Sequence, residues 1–67
     1  MTNSASGAYT LTGAAGVDNI TGGTGNDIIT GAAGNDIIAG GTGNDVITGG
    51  ADNDSLTGNA GNDTFNV

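Results

Sequence analysis

A chain of 67 residues makes one small domain or part of a larger one, and at that size a hydrophobic core alone seldom holds a fold. It has no cysteine and no histidine, which removes disulfides, thiolate zinc sites and the commonest catalytic base. With no Lys or Arg against seven acidic residues, all aspartate, the formal net charge is −7; phosphate backbones and anionic membrane surfaces are excluded as partners, and a cation is the natural ligand. Fifteen glycines and no proline suit a chain that turns tightly at intervals and keeps its amides free to pair between turns.

At the amino end, Met1-Thr2-Asn3-Ser4 has neither a basic region nor an apolar stretch, so no cleavable secretion signal is expected and export would use another route. No run approaches the roughly 20 apolar residues that span a bilayer, and membrane insertion is not expected. Residues 4–12 form a decayed copy of the pattern that follows, keeping Gly7 and Leu11 but carrying Tyr9 in place of an aspartate. Residues 1–12 are therefore expected to act as a degenerate amino-terminal cap or half repeat, since end repeats of stacked folds are usually atypical.

From Gly13 the chain reads GAAGVDNIT, GGTGNDIIT, GAAGNDIIA, GGTGNDVIT, GGADNDSLT and GNAGNDTFN, six unbroken units of nine ending at Asn66. Position one is always glycine, and position four is glycine except at Asp52. Position six is always aspartate: Asp18, Asp27, Asp36, Asp45, Asp54 and Asp63. Position eight is always large and apolar, from Ile20 to Phe65, with Leu11 in the same phase. A trio such as Ile28-Ile29-Thr30 favours a strand, and the glycine-rich six residues before it favour a turn. Each unit is thus a turn and a very short strand, with position eight facing a core and Ile28, Ile37 and Val46 at position seven facing out.

This pattern, Gly-Gly-x-Gly-x-Asp-x-U-x with U large and apolar, resembles the calcium-binding nonapeptide repeats of the RTX (repeats-in-toxin) family. The resemblance covers residues 13–66. It implies an all-β fold, a right-handed parallel β-roll or β-solenoid with two nonapeptides per coil and about three coils, over residues 13–67. It also implies calcium binding on secreted, extracellular bacterial proteins, often exported by a type I system, in which the repeats accompany a separate functional domain. The same resemblance assigns backbone carbonyl ligands to positions one to four, here Gly22, Gly23, Thr24, Gly25, Gly31, Ala33, Gly34, Gly40, Gly41, Thr42, Gly43, Gly49 and Gly50.

The residues support that expectation by themselves. Coils stacked about 4.8 Å apart place alternate repeats over one another, giving the columns Asp18, Asp36, Asp54 and Asp27, Asp45, Asp63. Neighbouring carboxylates about 5 Å apart repel by roughly 3 kcal/mol at an effective dielectric near 20. Calcium takes six to eight hard oxygens and accepts carboxylates together with carbonyls. Four sites between coils follow, at Asp18/Asp36, Asp36/Asp54, Asp27/Asp45 and Asp45/Asp63, with partial sites at the ends. A calcium-free chain is expected to be disordered and a calcium-bound one folded.

Asn26, Asn35, Asn44, Asn53 and Asn62 at position five read as turn formers that tolerate left-handed backbone rather than as side-chain ligands. Asp52 is either an added ligand or a strained substitute for glycine. Asp52-Asn53-Asp54 lacks the later glycine and glutamate of an EF-hand, and no base stands ready to activate a serine or threonine, so catalysis is not expected. Two other readings compete with the first. One is a disordered acidic linker; the other is a calcium-dependent ice-binding solenoid, which Thr24-Gly25-Asn26 and Thr42-Gly43-Asn44 resemble. No closing cap follows Phe65, and open terminal strands would invite end-to-end association or stacking on neighbouring repeats.

Overall fold

The computed structural model describes residues 7–66. These form seven strands of three residues each: β1 (Thr10–Thr12), β2 (Asn19–Thr21), β3 (Ile28–Thr30), β4 (Ile37–Ala39), β5 (Val46–Thr48), β6 (Ser55–Thr57) and β7 (Thr64–Asn66). Each strand occupies positions seven to nine of its repeat, where β-branched residues gather, and each turn takes the glycine-rich remainder. No helix among the described residues is long and apolar enough to cross a membrane.

Odd and even strands separate into two parallel sheets, ordered β1-β3-β5-β7 and β2-β4-β6. A strand therefore pairs with the one two repeats away, and two nonapeptides complete one coil of a parallel β-solenoid of about three turns. Register is uniform at 18 residues: Leu11 lies on Ile29, Ile29 on Ile47 and Ile47 on Phe65. Three-residue strands would pair weakly alone, but the ladder extends past both ends of each strand. Ile28 N–H donates to the Tyr9 carbonyl and Gly13 N–H to the Thr30 carbonyl, both at 2.8 Å.

Ile20, Ile29, Ile38 and Ile47 are buried and form the core, with Leu11 and Leu56 partly buried against them. Ile28 and Ile37 face outward and are exposed. The expectation that position eight is core throughout fails at Phe65, which is 45% exposed. Among the described residues its strand β7 has a neighbour on one side only, which leaves the ring uncovered there.

Burial separates adjacent isoleucines that composition treats alike. Ile38→Ala should cost about 2–5 kcal/mol in urea unfolding, while Ile37→Ala should stay within about 0.5 kcal/mol. Equal losses at the two positions would contradict the inward and outward assignment.

Candidate metal centre

The strand that carries each core residue also fixes the aspartate two positions earlier, so stacking one column stacks the other. Asp27, Asp36 and Asp45 are each only 1% exposed. One carboxylate oxygen of each is used by the chain. Asp27 N–H donates to Asp45 Oδ1 at 2.8 Å, Asp18 N–H to Asp36 Oδ1 at 2.9 Å, and Tyr9 N–H to Asp27 Oδ1 at 3.1 Å. Asp36 N–H to Asp54 Oδ1 and Asp45 N–H to Asp63 Oδ1 continue the two columns. Tyr9 thus takes over the backbone part of an aspartate while contributing no carboxylate.

The second oxygen is different. Asp27 Oδ2, Asp36 Oδ2 and Asp45 Oδ2 are buried with no hydrogen-bond partner. A buried polar group without a partner is costly, and a charged one more so. Each unpartnered oxygen faces the position-one glycine of its own repeat. A Cβ on Gly22 would meet Asp27 Oδ2 at 2.8 Å and the Gly40 carbonyl oxygen of the next coil at 2.5 Å. On Gly31 it would meet Asp36 Oδ2 at 2.5 Å and the Gly49 carbonyl oxygen at 2.8 Å. A carboxylate and a carbonyl from successive coils therefore converge on space that any side chain would fill.

This donor set fits calcium. Its atoms are hard oxygens of mixed carboxylate and carbonyl type, and no nitrogen or sulfur competes. No three acidic side chains gather at one point among the described residues, so carbonyls must supply much of any coordination shell. No concave pocket for an organic ligand is found among these residues either. The candidate ligand is an ion held between turns.

Among the expected carbonyls, those of Gly31, Gly40 and Gly49 point at the position-one glycine of the preceding coil, and those of Gly25 and Gly43 point at position four of the following coil. The Gly23 carbonyl accepts from Thr42 N–H at 3.0 Å. Those of Gly22, Thr24, Ala33, Gly34, Gly41, Thr42 and Gly50 lie in the same turns. Asp18, Asp54 and Asp63 are half-buried rather than buried. Asp52 stands at φ 73° in a glycine position, and its carboxylate accepts from Gly34 N–H at 3.0 Å, which gives it an inter-coil partner.

Sequence reasoning missed the work of the position-five asparagines. Asn26 Oδ1 accepts from Asn44 N–H at 2.7 Å, Asn44 Oδ1 from Asn62 N–H at 2.8 Å and Asn35 Oδ1 from Asn53 N–H at 2.9 Å. Their side chains are inter-coil acceptors, and none of the five position-five asparagines takes the left-handed backbone expected of a turn former, which falls instead on Ala32, Asp52, Asn59 and the glycines. The recurrence of Asn at steps of 18 was the available signal.

Burial raises the Asp45 carboxyl above its ordinary value of 3.8, against the Asp27 N–H that lowers it; the neighbouring Asp27 and Asp63 charges raise it further. A carboxyl whose pKa is raised by folding favours the fold when protonated. That contribution is full below the unfolded value and is lost as pH rises through the folded one. Calcium, which needs the carboxylate, has the opposite dependence. Strand content of metal-free chain, followed by circular dichroism, should fall as pH rises above the ordinary carboxyl value of 3.8, while the calcium needed for half-saturation should rise as pH is lowered toward it. Metal-free strand content that grows with pH would contradict this.

A family model described as the RTX calcium-binding nonapeptide repeat, four copies long, matches residues 12–47 and again residues 30–65. No curated protein and no solved structure matches the chain. The two family matches overlap and together cover residues 12–65, from the last residue of β1 into β7. By this match the chain belongs to the family of RTX calcium-binding nonapeptide repeats.

Proposed function

We propose that this chain holds calcium between its coils through the six position-six aspartates and folds when it does so. Four full sites are assigned, at Asp18/Asp36, Asp36/Asp54, Asp27/Asp45 and Asp45/Asp63, completed by turn carbonyls at positions one to four. The array covers residues 13–66 and residues 7–12 lead into it as a degenerate cap; the remainder of the expected cap, residues 1–6, and Val67 lie outside the described residues. The observation that carries the reading is the set of three buried carboxylate oxygens, on Asp27, Asp36 and Asp45, that have no partner within the protein.

The residues account for the coupling of binding to folding. Stacking the coils brings like charges together in two columns, and the chain has no Lys or Arg to offset them. The Oδ1 atoms of Asp27 and Asp36 accept amides from the preceding coil, and their Oδ2 atoms share the space at Gly22 and Gly31 with a carbonyl of the following coil. A divalent cation meets both oxygens at once, and its binding free energy adds to that of folding. Membership of the RTX repeat family favours a place on a secreted bacterial protein outside the cell, carried by a type I exporter and joined to a parent domain. A chain of charge −7 that stays unfolded in low calcium suits threading through an exporter. Its own role is structural, with no catalytic step.

Far-UV circular dichroism with calcium added to chelated chain should show a steep coil-to-strand transition, absent with magnesium at equal ionic strength, with about four ions bound per chain by calorimetry. Asp36→Asn and Asp45→Asn should each weaken the two sites they share and together abolish the transition. Full strand structure in excess chelator at neutral pH would overturn the coupling, and an unchanged ion count in the double variant would overturn the site assignment.

A further inference from the structure

Two sets of side chains cross the gaps between coils, and they run in opposite directions. An aspartate amide donates forward, to the carboxylate 18 residues later, as Asp27 N–H does to Asp45 Oδ1 at 2.8 Å. An asparagine amide donates backward, to the side chain 18 residues earlier, as Asn44 N–H does to Asn26 Oδ1 at 2.7 Å. The two bonds join the adjacent pair Asn26 and Asp27 on one coil to the adjacent pair Asn44 and Asp45 on the next. They therefore clamp the same pair of turns from both directions and set the width of the gap into which the unpartnered Oδ2 atoms face.

Three of the four assigned gaps carry an asparagine rung. Asn26 to Asn44 spans the Asp27/Asp45 gap, Asn44 to Asn62 spans Asp45/Asp63, and Asn35 to Asn53 spans Asp36/Asp54. The fourth does not. Val17 stands where the asparagine would be, is 76% exposed, and has no side-chain oxygen to accept the Asn35 N–H. The aspartate bond across that gap, Asp18 N–H to Asp36 Oδ1 at 2.9 Å, is intact.

Resting on the aspartate-column reading above, we propose that the position-five asparagines are positioning residues for the calcium sites, each rung fixing the gap it spans. The Asp18/Asp36 site, left without a rung by Val17, is then the weakest of the four. A rung that merely supported the fold would move every site together, whereas a gap-specific clamp moves one.

The test supplies the missing acceptor. Val17→Asn should protect the Asn35 amide from hydrogen exchange in saturating calcium and tighten the weakest stepwise calcium constant by about two- to tenfold, the range that one net hydrogen bond gives. Val17→Ala should do neither. Asn44→Ala, which removes the acceptor of Asn62 N–H, should weaken one of the tighter constants by a similar factor. The proposal is overturned by an Asn35 amide still unprotected in Val17→Asn, by protection without a change in the weakest constant, or by Asn44→Ala shifting all constants equally or none. A chain that binds no calcium would overturn the site reading with it. One that binds four ions with constants indifferent to these substitutions would overturn this inference alone.

Discussion

Taking a carboxylate out of water costs several kcal/mol unless its charge is met, and this chain buries three without a single basic side chain. The backbone meets half of each: Oδ1 of Asp27, Asp36 and Asp45 accepts an amide from the preceding coil, and Oδ2 accepts nothing. Much of the remaining architecture follows from keeping that second oxygen available. Position one is glycine because a Cβ there would occupy the space shared by the carboxylate and the next coil's carbonyl. The strands are short because a longer one would carry the turns out of register with the aspartates.

Charge and packing are coupled through sequence spacing. In each repeat the core side chain sits two residues after the aspartate, so a single 18-residue register stacks Ile20 on Ile38 and sets the amide of Asp18 against the carboxylate of Asp36. Slipping by one residue would turn the isoleucines to solvent and scatter the carboxylates together. The core of four isoleucines is small, and the chain cannot enlarge it without lengthening the repeat. On the proposed reading, a cation met by the aspartate columns adds the stabilisation that this core lacks, in keeping with a family of calcium-binding repeats.

The nine-residue period made most of this legible beforehand. Because position eight is apolar in every unit and position six is aspartate, strand placement and the inward face could be read from residues 13–66, while the pairing of repeats two apart followed from the family resemblance. What the period could not show was how unlike residues share a role. Tyr9 looks like a lost aspartate, yet its backbone makes both the amide and carbonyl contacts of one. Position-five asparagine looks like a turn former, and only the stacked geometry brings its side chain to the amide one coil away. Phe65 fits the core pattern and is still exposed, because burial depends on a coil beyond it rather than on its place in the repeat. Asp52 is the one acid out of phase, and its hydrogen bond to Gly34 depends on a left-handed backbone that its sequence neighbours do not announce.

The central claim is that the unpartnered oxygens of Asp27, Asp36 and Asp45 face cations. The most direct test is diffraction from calcium-grown crystals at a wavelength where calcium scatters anomalously. The account predicts anomalous peaks between successive coils, at about 2.3–2.6 Å from those Oδ2 atoms, with turn carbonyls completing each shell. Peaks confined to the exposed turn surface, or interior carboxylates with no ion beside them in saturating calcium, would contradict it.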